Sequence, residues 1–164
     1  LANDLGNLTY RTLNMLEKYY GGVIPAGNGE PVNEYRQPLE NLYVDYSRAM
    51  EQAAFTDALE RVWQLVRAAN KSIEERKPWA LKKEGRDEEL AVFMYALAET
   101  IRVTAAFLYP FMPSTAQSMY DQLGMTVSLS GARLEVESIF GRLPAGVHIA
   151  KDKPLFPRIE VEQV

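Results

Sequence analysis

The sequence has 164 residues, of which 47% are apolar and 24% are charged, as in one soluble globular domain with a sizeable core. It contains no cysteine, which excludes disulfide bonds and thiolate metal sites and fits a reducing compartment. No apolar run reaches membrane-spanning length, and the first residues lack the pattern of a signal peptide. The net charge of −4 argues against indiscriminate binding to phosphate groups.

The first predicted helix runs from Leu1 to Tyr20 and has an apolar face and a polar stripe. The side chains that fall together on the apolar face are Leu1, Leu5, Leu8, Thr12, Met15, Leu16 and Tyr19. The opposite side carries Asn3, Asn7, Arg11 and Asn14. Asn is a poor helix former, and amide and guanidinium groups bond the base edges of single strands, so this stripe suggests a recognition surface. An ordinary solvent-facing helix side is the other interpretation.

A second helix is predicted after the loop of residues 21–31, in which Gly, Pro and Asn recur. Asn33 is placed to cap this helix, which should run to about Gln52. Its buried side is predicted to consist of Leu39, Leu42, Tyr43, Tyr46 and Met50.

The third predicted helix is capped by Thr56 and ends near Lys77, because Pro78 disfavours helical geometry in the residue before it. Its apolar side consists of Phe55, Leu59, Val62, Trp63, Val66 and Ile73. Residues 67–86 contain seven basic and three acidic side chains, so this stretch carries +4 in an acidic chain. Such a basic island is either a steering patch for an anion or a solvated helix end.

After a short segment that breaks at Glu84–Gly85, Asp87 is placed to cap a fourth helix that reaches about Tyr109. Its inner face is predicted to consist of Leu90, Phe93, Met94, Leu97, Ile101, Thr104 and Leu108. Ser114 and Gln117 have the spacing of a capping box, which would open a fifth helix to about Leu123. We therefore predict an all-α bundle of about five helices over residues 1–125, with an irregular tail over residues 126–164 that packs back on the bundle or on a parent enzyme.

Catalytic constellations are scarce in this sequence. The sole histidine, His148, has no cysteine with which to build a usual zinc site, and no nucleophile elbow accompanies it. No phosphate-binding glycine loop joins a strand to a helix. The residues therefore support no active site.

Pro78–Trp79 indicates a binding site more strongly than any residue indicates catalysis, since it lies at a helix end between Lys77 and Lys82–Lys83. An aromatic residue among basic residues is typical of a base-stacking platform in proteins that bind single-stranded nucleic acid. A tryptophan tucked into the core by the bend at the proline is the alternative interpretation.

Four stretches resemble the anticodon-binding region of the methionyl-tRNA synthetase family, in that family's order. They are LANDLGNLTYRTLNML, NKSIEERKPWALKK, AETIRVTAAFLYPFMPSTAQ and PLFPRIE. The resemblance implies a helical domain that reads the CAU anticodon of tRNA. Asn7 and Arg11 match residues that bond anticodon bases, and Trp79, with Pro78 beside it, matches the aromatic residue on which the first anticodon base stacks. We add as further candidates Asn3, Asn14, Lys77, Lys82 and Lys83.

The resemblance also implies the setting of these residues. Members of the family are class I synthetases that attach methionine to tRNA in the cytoplasm with ATP. The His-x-Gly-His and Lys-Met-Ser-Lys-Ser motifs of the catalytic half are not in this sequence. Because the chain opens on Leu1 within a helical pattern, we expect a non-catalytic piece of a longer protein.

The expected partners are tRNA and the catalytic domain of the same polypeptide, with no membrane. ATP and Mg²⁺ would belong to the parent's catalytic region, which also allows a structural zinc ion, and no cofactor is expected in these residues. One departure is Ser72, where the family often carries an aromatic residue. Two alternatives stay open, the anticodon domain of a synthetase for Ile, Val, Leu or Cys and a helical protein-interaction module with no RNA role.

Overall fold

The computed structural model describes residues 2–156, and its regular elements there are helices, which confirms the all-α prediction. A π-helical segment, Ala2–Gly6, leads into α1 (Asn7–Tyr20). The helices that follow are α2 (Asn33–Leu39), α3 (Leu42–Glu51), α4 (Phe55–Arg76), α5 (Pro78–Lys83), α6 (Asp87–Leu108), α7 (Pro113–Gln122) and α8 (Leu134–Glu137). Leu1, predicted on the buried face, and the end of the PLFPRIE stretch lie outside the described residues.

The bundle is built around α6, which packs against α1, α4, α5 and α7. Every residue from Phe93 to Leu108 is buried, so α6 has no solvent-facing side there, and the predicted single inner face was too narrow. By length and composition α6 is the one described helix that could cross a membrane, and 89% of its most apolar stretch is buried inside the protein. The expectation that no stretch reaches membrane-spanning length is therefore wrong for α6, although it behaves as a core helix.

The predicted second helix is wrong as a single element, because the chain breaks between α2 and α3. Asn41 adopts a left-handed conformation with φ of 56°, which Asn tolerates better than most residues. The two short helices then pack separately on α4. The buried residues of α3 follow its own helical period, which leaves Tyr43, predicted to be buried, exposed at the surface.

The predicted helix caps are also wrong, because each helix begins at the proposed capping residue or one residue before it. No side-chain hydrogen bond caps α2, α4, α6 or α7, and the residues before these helices are Val32, Ala54, Arg86 and Met112. The proposed caps Asn33, Thr56, Asp87 and Ser114 lie within the first turns instead. Gln117, the other half of the predicted capping box, bonds Asp121 and the backbone of Val127 and Leu129.

The two aromatic residues predicted for the α4 core lie near its edge. Phe55 is 51% exposed and meets Phe111 edge-to-face, with 6.1 Å between ring centroids. Trp63 is part-buried, and its indole N–H donates to Asp4 at 3.3 Å. Phe55 is therefore at the surface and Trp63 packs against the core from its margin, while fully buried positions of α4 are filled by smaller residues such as Val62 and Ala69.

Residues 126–156 form an irregular segment that contains α8 and a single β-bridge between Val23 and His148. The backbone of His148 makes this bridge while its side chain is exposed. Leu129 and Leu143 are buried against the helices, so this part of the tail packs on the bundle. The division of the chain at residue 125 stays a proposal.

A buried ion pair on α6 attaches the tail. Arg102 donates to both carboxylate oxygens of Glu99, at 2.8 and 2.7 Å, and both side chains are fully buried. Burial lowers the pKa of Arg102, but the bonds and charge of Glu99 outweigh it and raise that pKa above its usual value. Arg102 also bonds Tyr120, Glu137 and the Ile139 carbonyl. Glu99 accepts from the backbone N–H groups of Gly141, Arg142 and Leu143.

Candidate nucleic-acid interface

The polar stripe of α1 lies at its contact with α4 rather than free on the opposite side. Asn7 donates to the Asn70 side chain at 3.3 Å, and Arg11 donates to Glu74 at 2.6 Å. Both stripe residues are half-buried as a result. The prediction that the stripe faces away from the core is therefore wrong for its central pair, because α4 packs along that side of α1.

Trp79 is exposed at the start of α5, where the chain turns sharply out of α4. Lys77 adopts a left-handed conformation with φ of 47°, and the buried Pro78 forms the first residue of α5. The indole is 45% exposed, so the interpretation that Trp79 is sealed in the core is wrong. Since Pro fixes φ at the first helical position, the indole is carried by a short, well-anchored helix.

The Trp79 indole shares a shallow depression of about 250 Å³ with residues of the α1 stripe. The other residues that line it are Arg11, Asn14, Met15, Lys18 and Tyr19. Trp79 thus meets residues that lie 60 or more positions before it in the sequence, because α5 follows α4 beside α1. We call this surface the Trp79 depression.

A second, larger depression lies along the first half of the stripe. It has a volume of about 540 Å³, and its lining includes Asn3, Asn7 and Tyr10 from the N-terminal segment and residues 154–156 from the tail. Tyr10 is 57% exposed. Sequence reasoning missed Tyr10, although its position three residues after Asn7 puts it on the same helix side. We call this surface the Tyr10 groove.

The predicted lysines are not gathered at these surfaces. Lys77, Lys82 and Lys83 are exposed but line neither depression as the described residues define them, and Lys82 pairs with Asp87 at 2.8 Å. Two other lysines lie at or beside the depressions instead. Lys18 lines the Trp79 depression, and the Lys151 ammonium lies 5.8 Å from the centre of the Tyr10 ring.

The buried hydroxyl of Ser72 makes one of the contacts that attach α2 to α4 behind the site. This hydroxyl is fully buried, donates to the Ala69 carbonyl at 2.8 Å, and lies 2.8 Å from the Tyr35 hydroxyl. Burial raises the pKa of Tyr35 well above its usual value. Nearby, the hydrogen bond from Arg76 lowers the pKa of Glu34. These contacts fasten α2 to the part of α4 that carries Glu74.

The arrangement suits an unpaired base more than a chemical reaction. An exposed indole offers a stacking face that accepts any base. The bond to Glu74 occupies one nitrogen of the Arg11 guanidinium, which has five N–H donors in all. Asn14 adds an amide that both donates and accepts. The Trp79 depression therefore combines stacking with groups that distinguish base edges.

A family profile described as the anticodon binding domain of methionyl tRNA ligase matches residues 24–164. The chain is 41% identical over 169 residues to the methionine–tRNA ligase of Halalkalibacterium halodurans, covering 99% of this chain and 25% of that protein. It is 40% identical over 168 residues to the methionine–tRNA ligase of Bacillus subtilis, with the same coverage. The chain thus spans about a quarter of the length of these relatives.

Solved structures with the same fold include methionyl-tRNA synthetases of Mycobacterium tuberculosis. The apo form superposes with a TM-score of 0.84 at 27% identity, covering 98% of this chain and 33% of that one. The form bound by methionyl-adenylate superposes with a TM-score of 0.83 at 26% identity, covering 96% of this chain and 31% of that one. The family profile begins after α1, whereas these relatives and structures cover almost the whole chain.

Proposed function

Because the chain belongs to the family of methionyl-tRNA ligase anticodon-binding domains, we propose that it selects the methionine tRNA by its CAU anticodon. The observation that carries this proposal is the Trp79 indole, exposed in one depression with Arg11 and Asn14. A domain with only a structural role has no need of an exposed indole beside a guanidinium. An unpaired base uses both groups at once.

In this proposal the first anticodon base stacks on Trp79, and Arg11 bonds its Watson–Crick edge. The edge of cytosine presents two acceptors, N3 and O2, to which guanidinium N–H groups donate. Uracil presents an N–H donor at N3 and would repel them. Because Glu74 holds one guanidinium nitrogen at 2.6 Å, Arg11 is oriented before the base arrives.

The remaining proposed contacts differ in role. Asn7, with Asn3 and Asn14 beside it on the stripe, supplies amide groups for base edges, and Pro78 fixes the backbone under Trp79. The exposed lysines Lys77, Lys82 and Lys83 act at longer range by steering the phosphate backbone.

The parent protein is proposed to be a cytoplasmic methionine–tRNA ligase that uses ATP and Mg²⁺ to attach methionine to its tRNA. A structural neighbour is described as bound by methionyl-adenylate, which supports ATP chemistry in the parent's catalytic domain. A structural zinc ion, where the parent has one, would also lie in that region. The chain described here would contribute tRNA selection and no catalytic step.

The rival functions have less support. The relatives and structures described above are all named for methionine, which does not favour a synthetase for Ile, Val, Leu or Cys. A protein-interaction module would need no preference for one anticodon. Binding measurements on RNA separate these functions directly.

The test measures dissociation constants of the 164-residue chain for a stem-loop RNA with a CAU loop and for variants at each anticodon position, at one fixed salt concentration. We expect the CAU loop to bind most tightly and Trp79→Ala to weaken it by about 1–3 kcal/mol, the usual value of one stacked base. Phe55→Ala is the matched control, because Phe55 is 51% exposed against 45% for Trp79.

Three outcomes contradict the proposal. Equal affinity for all anticodons would point to non-specific binding, and tighter binding of another anticodon to a different synthetase. Equal effects of Trp79→Ala and Phe55→Ala would remove Trp79 from the site. A thermal melt of each variant ensures that lost binding does not reflect lost folding.

A further inference from the structure

We propose that Tyr10, with Lys151 beside it, forms a second stacking site for an unpaired base, separate from the one on Trp79. The ligand is a single-stranded nucleotide, whose base stacks on the phenol ring and whose phosphate faces the Lys151 ammonium. The inference rests on the proposed RNA-binding function and adds that the domain holds two different loop bases on two aromatic rings.

The first support is the exposure of Tyr10. Its ring is 57% exposed, the largest exposed fraction among the large apolar side chains in the described part of the chain. It lines the Tyr10 groove, whose volume of about 540 Å³ falls in the range of small-ligand sites. A large aromatic side chain exposed in such a groove offers a stacking face to an unpaired base.

The second support is the polar lining of the same groove. Asn3 and Asn7 line it together with Tyr10, while Arg11 and Asn14 line the Trp79 depression. The polar stripe of α1 is thus divided into two halves, and each half has one exposed aromatic ring. Each ring therefore has at least one amide side chain within its own depression that can bond a base edge.

The third support is the position of Lys151. Its ammonium lies 5.8 Å from the centre of the Tyr10 ring and bonds the side-chain oxygen of Asn14. An ammonium over an aromatic ring steadies the ring by a cation–π interaction and places a positive charge next to the stacking face. Single-strand binding proteins combine these two features, an aromatic platform and a basic group that follows the backbone.

Asn14 makes the two sites continuous. It lines the Trp79 depression and bonds Lys151, which in turn contacts Tyr10. Tyr10 and Asn14 are four residues apart, so they lie on the same side of α1 about 6 Å apart along its axis. One strand of RNA that crosses this side of α1 meets both rings.

The test uses the 164-residue chain with the CAU stem-loop and with copies that lack the base at one loop position in turn. We expect Tyr10→Ala to weaken binding by about 5- to 150-fold, the range for one stacked base, and Tyr10→Phe to restore it. Removing the base that stacks on Tyr10 should weaken RNA binding by the unaltered protein but should not change the affinity of Tyr10→Ala. The affinity of Trp79→Ala should likewise be unchanged by removal of one base, but this should be a different base, the one that stacks on Trp79.

The salt dependence of RNA binding by Lys151→Ala distinguishes a phosphate contact from a purely structural role, which would leave that dependence unchanged. If Lys151 contacts one phosphate, the slope of log K against log salt concentration should fall by about 0.7, the value for one phosphate of a single strand. Tyr43→Ala is the matched control for Tyr10→Ala, because Tyr43 is another exposed tyrosine, on the distant helix α3.

The outcomes separate the two proposals. If Trp79→Ala loses affinity while Tyr10→Ala binds like the unaltered protein, the second stacking site is overturned and the proposed function stands. If both variants are insensitive to the same missing base, the two rings do not hold different bases, and the inference is again overturned. If the unaltered protein shows no preference for the CAU loop, the proposed function falls and the second site with it.

Discussion

The guanidinium of Arg11 donates to the carboxylate of Glu74 across the contact between α1 and α4, with 2.6 Å between the two atoms. The pair lies at the surface, with Arg11 the more buried partner. Exposed pairs of this kind add little to the stability of a fold. The value of this contact is orientation, because it aims a flexible side chain at the depression that also holds Trp79.

The first prediction concerns Arg11. Arg11→Ala should reduce discrimination between CAU and anticodons altered at one base by about 1–3 kcal/mol, the scale of a good bidentate base contact. Dissociation constants for the CAU loop and its single-base variants measure this. Arg48→Ala is the control, because Arg48 is an exposed arginine on α3 that also pairs with a carboxylate. An equal loss for every anticodon would make Arg11 a phosphate contact.

The second prediction concerns the buried pair that attaches the tail. Glu99→Ala leaves the buried Arg102 with Glu137 as its one remaining carboxylate partner among the described residues and removes the acceptor for three backbone N–H groups, so we expect a loss of about 3–5 kcal/mol in the free energy of unfolding. Urea denaturation measures this loss. Glu60→Ala is the matched control, since its pair with Arg67 is exposed and should contribute less than about 1 kcal/mol.

Hydrogen exchange provides the local readout for the same variant. The amides of Gly141, Arg142 and Leu143 donate to Glu99 and should exchange faster in Glu99→Ala than the amides of α4. Unchanged protection of these three amides would mean that the tail is held by its apolar contacts alone.

The third prediction concerns the Ser72 hydroxyl. Ser72→Ala removes the group that lies 2.8 Å from the buried Tyr35 hydroxyl, and an unsatisfied buried hydroxyl costs about 1–3 kcal/mol. Ser114→Ala is the control and tests a second point. A true helix cap there would cost about 0.5–2 kcal/mol on removal, but Ser114 makes no capping bond, so the change should be close to neutral. Thermal denaturation of both variants provides the comparison.

The fourth prediction concerns alkaline pH. Tyr46 donates to the Phe107 carbonyl at 2.7 Å, and burial raises the pKa of Tyr46 to about 12. The unfolded chain releases this proton near pH 10, whereas the folded protein keeps it. The stability that depends on the protonated phenol is therefore full below about pH 10 and is lost as the pH rises towards 12.

Tyr46→Phe removes this titration. Between pH 10 and 12 its free energy of unfolding should fall by about 2 kcal/mol less than that of the unaltered protein, since each pKa unit corresponds to about 1.4 kcal/mol and the titration is only half complete at either limit. Urea denaturation at several pH values measures the difference. Tyr10→Phe is the control, because it leaves every buried hydroxyl in place. Parallel pH profiles for Tyr46→Phe and the unaltered protein would contradict the prediction.

Periodicity identified the long helices because burial on one side of a helix leaves a repeat of 3.6 residues. The proline rule placed the end of α4 near Lys77 correctly, since Pro78 acts on its immediate neighbour. Neither periodicity nor the proline rule found the break at Asn41, which depends on how two short helices pack on α4. Both also missed the Glu99–Arg102 pair, because two charged residues in an apolar run give no sign that they meet the tail.

Residue types and spacings are local properties. They were enough to indicate a helical bundle, a polar stripe on the first helix and Trp79 as a candidate platform for base stacking. The exposure of Trp79 and its closeness to Arg11 depend on the angle at which the chain leaves α4, which is set by packing around Pro78. The contact between Tyr10 and Lys151 depends on where a distant tail docks. Such long-range contacts follow from the packing of the whole bundle and leave no periodic trace along the chain.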